Sequence, residues 1–474
     1  MKKVFLILIF QFAIKIHCQE IIKSYDINLE NSDVFQIVDE KEKEVSIFLI
    51  KKKDVQIINL DSEFNIKDSI SINTPEKKFK SIVGFSKKNN EKYIYWTKGG
   101  TSDIIIQKID FENKKTTESK SLIDTKNETK IIELSLNNAF YLITSIKKTN
   151  QLKIHKFNGE DKTEKIIDFD NTYFYNSLNE KINLYDLLNE NLLPFETAFK
   201  PQLIDDSSPV SLTSSSKKRK YYIKSDTLFL TFDNNTKFTQ ILKIDLQNWL
   251  NSSFSISKPE INDANNFMVN SNSYLIENTL AQIKLNNQVM FLTFKDLNNN
   301  LIKEYQINKE DSLSFKNSDI IQLGSEFNST DIRILSKTSQ FLRKLNNLNP
   351  GLSFYKIGDN YQTVIGSVSE IRNNSYMGMF GASGVILYYM TTNPTFDNFN
   401  SYSNRKVVYI NSNFDSKGEF YKEKYRDNLF DKIQEFKKNE KELSTQTIFK
   451  FLNDFYFGYF SKKEKKYLLL RFKE

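Results

Sequence analysis

The sequence predicts an all-β chain built from a recurring four-strand unit, and three observations predict it. Short apolar runs alternate with polar ones. A polar turn carrying Asp or Asn returns at a nearly constant interval. The apolar residues are of the kinds strands favour: 474 residues include 39 Phe and 23 Tyr, with many Ile and Leu and only 13 Gly and 7 Pro. β-Branched and aromatic side chains pack well on a pleated, half-buried surface.

Residues 45–72, "VSIFLIKKKDVQIINLDSEFNIKDSISI", read as strand, polar turn, strand, polar turn, strand. Alternation within the pieces, as in Val55, Ile57 and Asn59 against Ile58 and Leu60, supports this. "KYIYWTKGGTSDIIIQKIDFENKKTTESKSLI" from Lys92 and "AFYLITSIKKTNQLKIHKFNGEDKTEKIIDF" from Ala139 repeat the pattern. Their turn residues, Asp61, Asp110 and Asn158, are spaced by 49 and 48 residues. The turn returns at Asp245 in "FTQILKIDLQNW" and, 51 residues on, at Asp296 in "VMFLTFKDLNNNLIKEYQI". It returns again at Asp415 in "KVVYINSNFDSKGEFYKE" and, 46 residues later, near Ser461 in "FYFGYFSKKEKKYLLLRF".

A period of about 40–50 residues with four short antiparallel strands per unit is the signature of a β-propeller. One four-stranded blade cannot cover both of its faces, whereas blades set round an axis cover one another and leave short, protected edges. The expectation is a propeller of about seven four-stranded blades, within a range of six to eight. In this the chain resembles exported bacterial β-propeller repeat proteins over most of residues 40–474. The resemblance is architectural: there is no WD dipeptide signature, kelch double glycine or Ser-x-Asp-x-Gly-x-Thr-Trp box, so no functional residue is carried over. Trp96 and Trp249 fall at unlike places in their units.

Three stretches break the period. Residues 168–220 read as an irregular insertion that ends in a polar, flexible basic linker, "DDSSPVSLTSSSKKRK". Residues 335–350 predict a short amphipathic helix ended by Pro350. Residues 426–440 predict a helical insertion with Leu429, Phe430, Ile433 and Phe436 on one face. The final unit shows three strands, "TIFKFLN", "FYFGYF" and "KYLLLRF". The strand-like segment 19–28, "QEIIKSYDIN", is expected to supply the fourth, outer strand of the last blade.

The chain opens "MKKVFLILIFQFAIKIHCQE", a basic start and an apolar run from Val4 to Ile14. A membrane-spanning helix needs about 20 apolar residues. Residues 1–18 therefore read as a secretory signal peptide cleaved after Cys18, leaving residues 19–474 as a single domain. The rival readings make Cys18 a lipidated N-terminus or the segment an uncleaved anchor. Export places the chain in the periplasm, on the cell surface or outside the cell. Cleavage removes the only Cys and one of the two His, leaving His155. A disulfide, a Cys nucleophile, a Cys-rich zinc site and a two-histidine metal site are then excluded by counting. The net charge of +8 on 474 residues is mild and gives no reason to expect nucleic acid. No metal or other cofactor is expected.

Candidate residues are few. His155 lies in a predicted strand, "LKIHKF", and is expected on a blade surface as a structural or solvated residue rather than a general base. "DLNNN" from Asp296 begins like an EF-hand loop, but Leu301 stands where that loop needs Gly and Ile307 where it needs Glu, which leaves a polar hairpin turn. Lys217, Lys218, Arg219 and Lys220 form a basic run, expected to be solvated, with docking on an acidic glycan or lipid headgroup as the functional alternative. "SYMGMFGASGVILYYMTT", residues 375–392, gathers Gly378, Gly381 and Gly384. It is too short to span a bilayer and lacks the Lys-Ser/Thr ending of a phosphate loop. It divides into a loop and a buried inner strand, "GVILYYMTT". Tyr376, Met377, Met379 and Phe380 in that loop are the leading apolar and aromatic contacts for a ligand or partner.

The functional expectation is an exported cell-envelope or secreted binding or assembly module with no assigned reaction. Its partner would be an unknown envelope protein or glycan, with peripheral membrane contact open. The alternatives are a carbohydrate-active hydrolase or lyase using carboxylates at the propeller face, and a purely structural envelope protein.

Overall fold

The structure is a computed structural model. It describes residues 19–473 apart from 28, 30–31, 52–53, 77–78, 80, 90, 99–102, 124–125, 193–195, 262–267, 324–331, 370–385, 388–393, 403–406 and 441–442. The signal-peptide expectation for residues 1–18 therefore lies outside the described residues, as does the loop bearing Tyr376, Met377, Met379 and Phe380.

The chain is all-β with a few short helices. Its described strands form seven sheets of four or five strands and one two-stranded hairpin, Phe174–Tyr175 with Lys181–Ile182. Sheet I is Asp33–Asp39, Glu44–Lys51, Asp54–Leu60 and Ile66–Asn73. Sheet II is Ser81–Lys88, Glu91–Thr97, Asp103–Asp110 and Lys115–Leu122. Sheet III is Glu128–Leu136, Ala139–Ile146, Gln151–Asn158 and Asp161–Asp168. Sheet IV is Arg219–Lys224, Thr227–Phe232, Phe238–Asp245 and Asn251–Ser257. Sheet V is Asn270–Ile276, Thr279–Leu285, Val289–Asp296 and Leu301–Asn308. In all five the strands pair antiparallel in chain order.

The last two sheets borrow strands from earlier in the chain. In sheet VI, Asn349–Ile357, Asn360–Val368 and Val407–Asp415 are followed outward by Ile320–Leu323 and Ile332–Leu335. In sheet VII, Leu443–Phe451, Asp454–Ser461 and Lys466–Phe472 are followed by Gln19–Tyr25, whose Gln19 pairs with Phe472 and whose Tyr25 pairs with Tyr467.

Burial grades across each sheet. The first strand of sheet II is largely buried while its last, Lys115–Leu122, has no buried residue. Apolar side chains from both faces interlock with the next sheet. Phe35 and Phe48 of sheet I meet Trp96 and Ile105 of sheet II. Tyr95 of sheet II stacks on Phe140 of sheet III, 4.6 Å between ring centroids. Gly84 permits that approach, since a Cβ there would lie 2.1 Å from Phe140. The same cores join III to IV, IV to V, V to VI, and VII back to I. Sheet VII packs on its other side against helices Pro394–Tyr402 and Leu429–Asn439, through Phe399, Phe430, Ile433 and Phe436. The helical insertion expected over 426–440 thus forms at Leu429–Asn439, capped by Asn428. The other predicted helix forms at Thr338–Asn346, and Pro350 already belongs to the next strand.

The repeated turn Asp has a local cause. Asp61 accepts from the backbone N–H of Glu63 and Asn65, Asp245 from Gln247 and Asn248, Asp296 from Asn298 and Asn300, and Asp415 from Lys417 and Glu419. Each carboxylate closes its own turn, as Asx side chains do.

Candidate functional site

Two inserts run over the buried edges of the sheets. In the first, Gln202–Leu203 adds a parallel strand beside Arg219–Lys224 of sheet IV. It continues to the short helix Leu212–Ser215, whose four residues are all buried and whose N-terminus is capped by Ser211. That helix rests on sheet VI. Ser353 Oγ donates to Val210 O at 2.5 Å, and a Cβ on Gly366 would lie 2.8 Å from Leu212 Cδ1 and 2.4 Å from Val408 O. In the second insert, Ile386–Leu387 pairs in parallel with Ser81–Ile82 of sheet II. Helix Pro394–Tyr402 follows and meets the first insert: Asn398 Nδ2 donates to Asp205 O and Ser208 Oγ, and Ser401 Oγ to Ser211 Oγ at 2.8 Å. The two inserts therefore touch one another and the buried edge strands of sheets II, IV and VI. Of the stretch expected to form an inner strand, only Ile386–Leu387 is described, and it pairs as a strand.

The basic run corrects the sequence expectation. It is not a flexible, solvated linker. Lys217 and Lys218 are half-buried after the helix, and Arg219 and Lys220 open the first strand of sheet IV with 0% exposure. Arg219 Nη1 donates to Leu188 O at 2.5 Å and Glu190 O at 3.1 Å, at the end of helix Leu184–Asn189. Its Nε lies 3.8 Å from Glu196 Oε2.

Lys220 enters a charged cluster in the seam between sheets IV and V. At its centre is Asp233, just after Thr227–Phe232 and 1% exposed. Its Oδ2 accepts from Lys220 Nζ at 3.0 Å and Ser273 Oγ at 2.6 Å. Its Oδ1 accepts from Lys258 Nζ at 2.9 Å and Thr239 Oγ1 at 2.8 Å. Burial would raise this carboxyl, but Lys258 and Lys220 outweigh it and hold the group well below the usual carboxylate range. Both lysines are saturated: Lys220 also donates to Asn272 Oδ1 and Lys217 O, and Lys258 to Asn235 O and Ser271 Oγ. Lys218 Nζ adds bonds to Asn270 Oδ1 and Ser271 O. Burial, together with the charge of Lys258, pulls its ammonium down to about 7.

This seam was not legible in the sequence. Its partners lie 13 to 53 residues from the basic run, and no motif spacing marks them.

His155 takes the structural rather than the solvated of its two expected forms. It is buried, with Nε2 2.8 Å from Glu128 Oε2 and Nδ1 3.1 Å from Glu164 Oε1. Glu128 also accepts from Thr144 Oγ1 and Lys153 Nζ, so the imidazole belongs to a cross-strand network within sheet III. Among the described residues, no three His, Cys, Asp or Glu side chains gather as metal ligands would. No described helix is long and apolar enough to cross a membrane.

No protein family matches the sequence. No curated protein matches it either. Solved structures that it is similar to include a Synechocystis apocarotenoid oxygenase mutant, at 9% identity and a TM-score of 0.29, over 58% of this chain and 62% of that one. The chain thus spans about three fifths of the oxygenase. It is also similar to the WD40 domain of SCAP from fission yeast, at 10% identity and a TM-score of 0.28, over 96% and 97% of the two chains. A third is the β-propeller domain of Cps50 (Swd1) from Myceliophteria thermophila, at 9% identity and a TM-score of 0.27, over 95% and 99%. Likeness of this degree carries no argument about activity.

Proposed function

We propose that the chain is an exported seven-bladed β-propeller that serves as a binding or assembly module at the cell envelope. In this reading residues 1–18 are a signal peptide and residues 19–474 one domain, each of sheets I–VII is a blade, and Gln19–Tyr25 closes the last blade. The sheet order supports it, because sheets I to VI each share a core with the next in the chain, sheet VII shares one with sheet I, and helices Pro394–Tyr402 and Leu429–Asn439 pack on the other side of sheet VII.

The observation that carries the binding function is the pair of inserts meeting over the buried edges of sheets II, IV and VI. A filled face of this kind offers a surface for recognition, built on a rigid scaffold by its insertions. The loop with Tyr376, Met377, Met379 and Phe380 belongs to the second insert by sequence and remains the proposed apolar contact. The partner class is an envelope protein or glycan.

The experiment is retention of the purified mature chain on isolated envelope, with reducing ends assayed in the supernatant. Saturable retention without release of sugar ends supports the module. Release of reducing ends moves the assignment to a carbohydrate-active enzyme, and absence of saturable retention refutes the proposal. Edman sequencing of exported material must begin at Gln19.

A further inference from the structure

The two ends of the sheets differ in charge. In sheets I, II and III the turns from strand 1 to 2 and from strand 3 to 4 lie at one end, and the turn from strand 2 to 3 lies at the other. Sheet VII places its first two turns in the same way. Neighbouring sheets keep like ends together. Lys87 N–H donates to Asn138 O at 3.1 Å, beside the first turns of sheets II and III. Lys92 Nζ lies 3.8 Å from Glu44 Oε2, both just past the first turns of sheets II and I. At the opposite end Thr445 Oγ1 donates to Leu29 O at 3.3 Å, where the chain enters sheets VII and I.

The first end is acidic. It holds the turn carboxylates Asp61 and Asp110, with Glu42, Glu63, Glu112 and Asp161 exposed around them and Lys41, Lys43, Lys114 and Lys115 interspersed. The second end is basic at its turns. Lys51 of sheet I, Lys147 and Lys148 of sheet III, and Lys462, Lys463 and Lys465 of sheet VII are all exposed. The exposed acids of the same turns are Asp54 and Glu464. In sheet II, Lys98 pairs with Asp103. On the adjoining connections Asp26 pairs with Lys466 and Glu76 with Lys120, while Asp168 accepts from Gln151 Nε2 and from Asp170 N–H. Among the described residues, no aromatic side chain stands on these turns.

We propose that the strand 2–3 end of sheets VII, I, II and III docks on an anionic lipid surface. Packed sheets lie about 10 Å apart, so the turns from sheet VII to sheet III spread over about 30 Å. A plane of headgroups meets lysines spread this widely all at once. A sugar chain would find no ring to stack on at these turns. The acidic end is repelled by the same surface, which fixes the orientation. This inference rests on the envelope reading and names the partner of that module.

The test is sedimentation of the chain comprising residues 19–474 with vesicles of phosphatidylcholine alone or mixed with phosphatidylglycerol. Binding is expected only to the mixed vesicles, and it should be lost at about 1 M sodium chloride, where the screening length falls to about 3 Å. A lysine near such a surface contributes about fivefold in affinity, so Lys462→Gln, Lys463→Gln and Lys465→Gln together should weaken binding by about a hundredfold. The control removes equal charge from the acidic end, with Lys41→Gln, Lys43→Gln and Lys115→Gln, and should change binding by less than about threefold. Should the first variant fail to fold, Lys147→Gln with Lys148→Gln puts the same question to sheet III, with about a twenty-fivefold loss expected. Equal binding to phosphatidylcholine, binding unchanged in the turn variants, or the same loss in the control would each overturn the proposal. Binding of soluble polygalacturonate in place of the vesicles would overturn it in favour of an acidic glycan. Saturable retention on isolated envelope with no binding to either vesicle would sink this inference alone and leave the proposed function standing.

Discussion

Asp233→Asn is the sharpest test of the charged seam. Each carboxylate oxygen accepts one ammonium and one hydroxyl hydrogen: Oδ2 from Lys220 and Ser273, Oδ1 from Lys258 and Thr239. Asparagine keeps the shape but turns one oxygen into a donor. A hydroxyl can rotate and accept from it, but a lysine cannot, so whichever way the amide points, one buried ammonium faces another donor. Breaking a buried pair on one side costs about 3–5 kcal/mol, because the remaining charge is stranded. In urea the dependence on denaturant is about 1–3 kcal/mol per molar for small proteins and grows with size. At a slope of about 4 kcal/mol per molar, the midpoint should fall by about 1 M. The triple change Asp233→Leu, Lys220→Met and Lys258→Met removes all the charge and should lose much less. The sign of the pH effect follows from the depressed folded-state value of Asp233. Its contribution is complete above the ordinary carboxylate value of 3.8 and fades as the pH falls below it. Asp233→Asn should therefore flatten the acid limb of the stability curve as well as lowering the plateau. A midpoint shift below about 0.3 M, or an Asn variant no worse than the triple variant, would falsify the argument.

Gly366→Ala sets a Cβ 2.8 Å from Leu212 and 2.4 Å from Val408 O; overpacking of this kind costs about 1–3 kcal/mol. Urea unfolding of the variant checks it, and an unchanged midpoint would mean that the helix does not press on sheet VI. Asn272→Leu removes the amide that donates to Ser216 O at 2.7 Å and Pro350 O at 2.8 Å. Hydrogen exchange should quicken over 211–216 and 349–353, and exchange confined to sheet V would separate the insert from the seam. The turn carboxyls Asp61, Asp110 and Asp296 are held below their ordinary value, chiefly by hydrogen bonds from Asn65, Asn113 and Asn300 respectively. Their stabilisation is present above about pH 4 and lost below it. Changing all three to Asn keeps the turn acceptor and should reduce the fall in melting temperature between pH 4 and pH 2.5, and a fall equal to wild type would count against that role.

The repeat was legible because its cause is local. An Asx turn is decided by four or five consecutive residues, so Asp61, Asp245, Asp296 and Asp415 mark hairpins without any knowledge of what packs on them. The helical face of Leu429, Phe430, Ile433 and Phe436 was legible for the same reason, since one period specifies it. The basic run was misleading. Four cations in sequence ordinarily stay in water, and what overrides this is Asp233 just after the next strand, Asn272 on the next sheet and the carbonyls of Leu188 and Glu190. None of these is visible within a window of sequence. For His155 alternation assigned only a face, and the two carboxylates that occupy its ring come from the strands at 128 and 164.

The seams differ in what holds them. Between sheets II and III the contact is aromatic, with Tyr95, Phe140 and Phe157 within 5.7 Å of one another. A few hydrogen bonds accompany it, as where Tyr95 Oη donates to Gly159 O at 2.8 Å and Gly159 N–H to Ser86 Oγ at 3.1 Å. Between sheets IV and V, the Asp233 cluster demands that Lys220, Lys258, Thr239 and Ser273 all point to one place, which sets the rotation of one sheet against the other. From there Lys220 holds Asn272, and Asn272 holds both the residue ending the inserted helix turn, Ser216, and Pro350 at the start of sheet VI. A continuous run of hydrogen bonds thus joins two sheets, the insert and a third sheet. Burying polar groups is justified energetically only when all of them are satisfied. Asp233, Lys220 and Lys258 meet that requirement beside the point where the first insert is held, since each carboxylate oxygen accepts two hydrogen bonds and each ammonium donates to three oxygens.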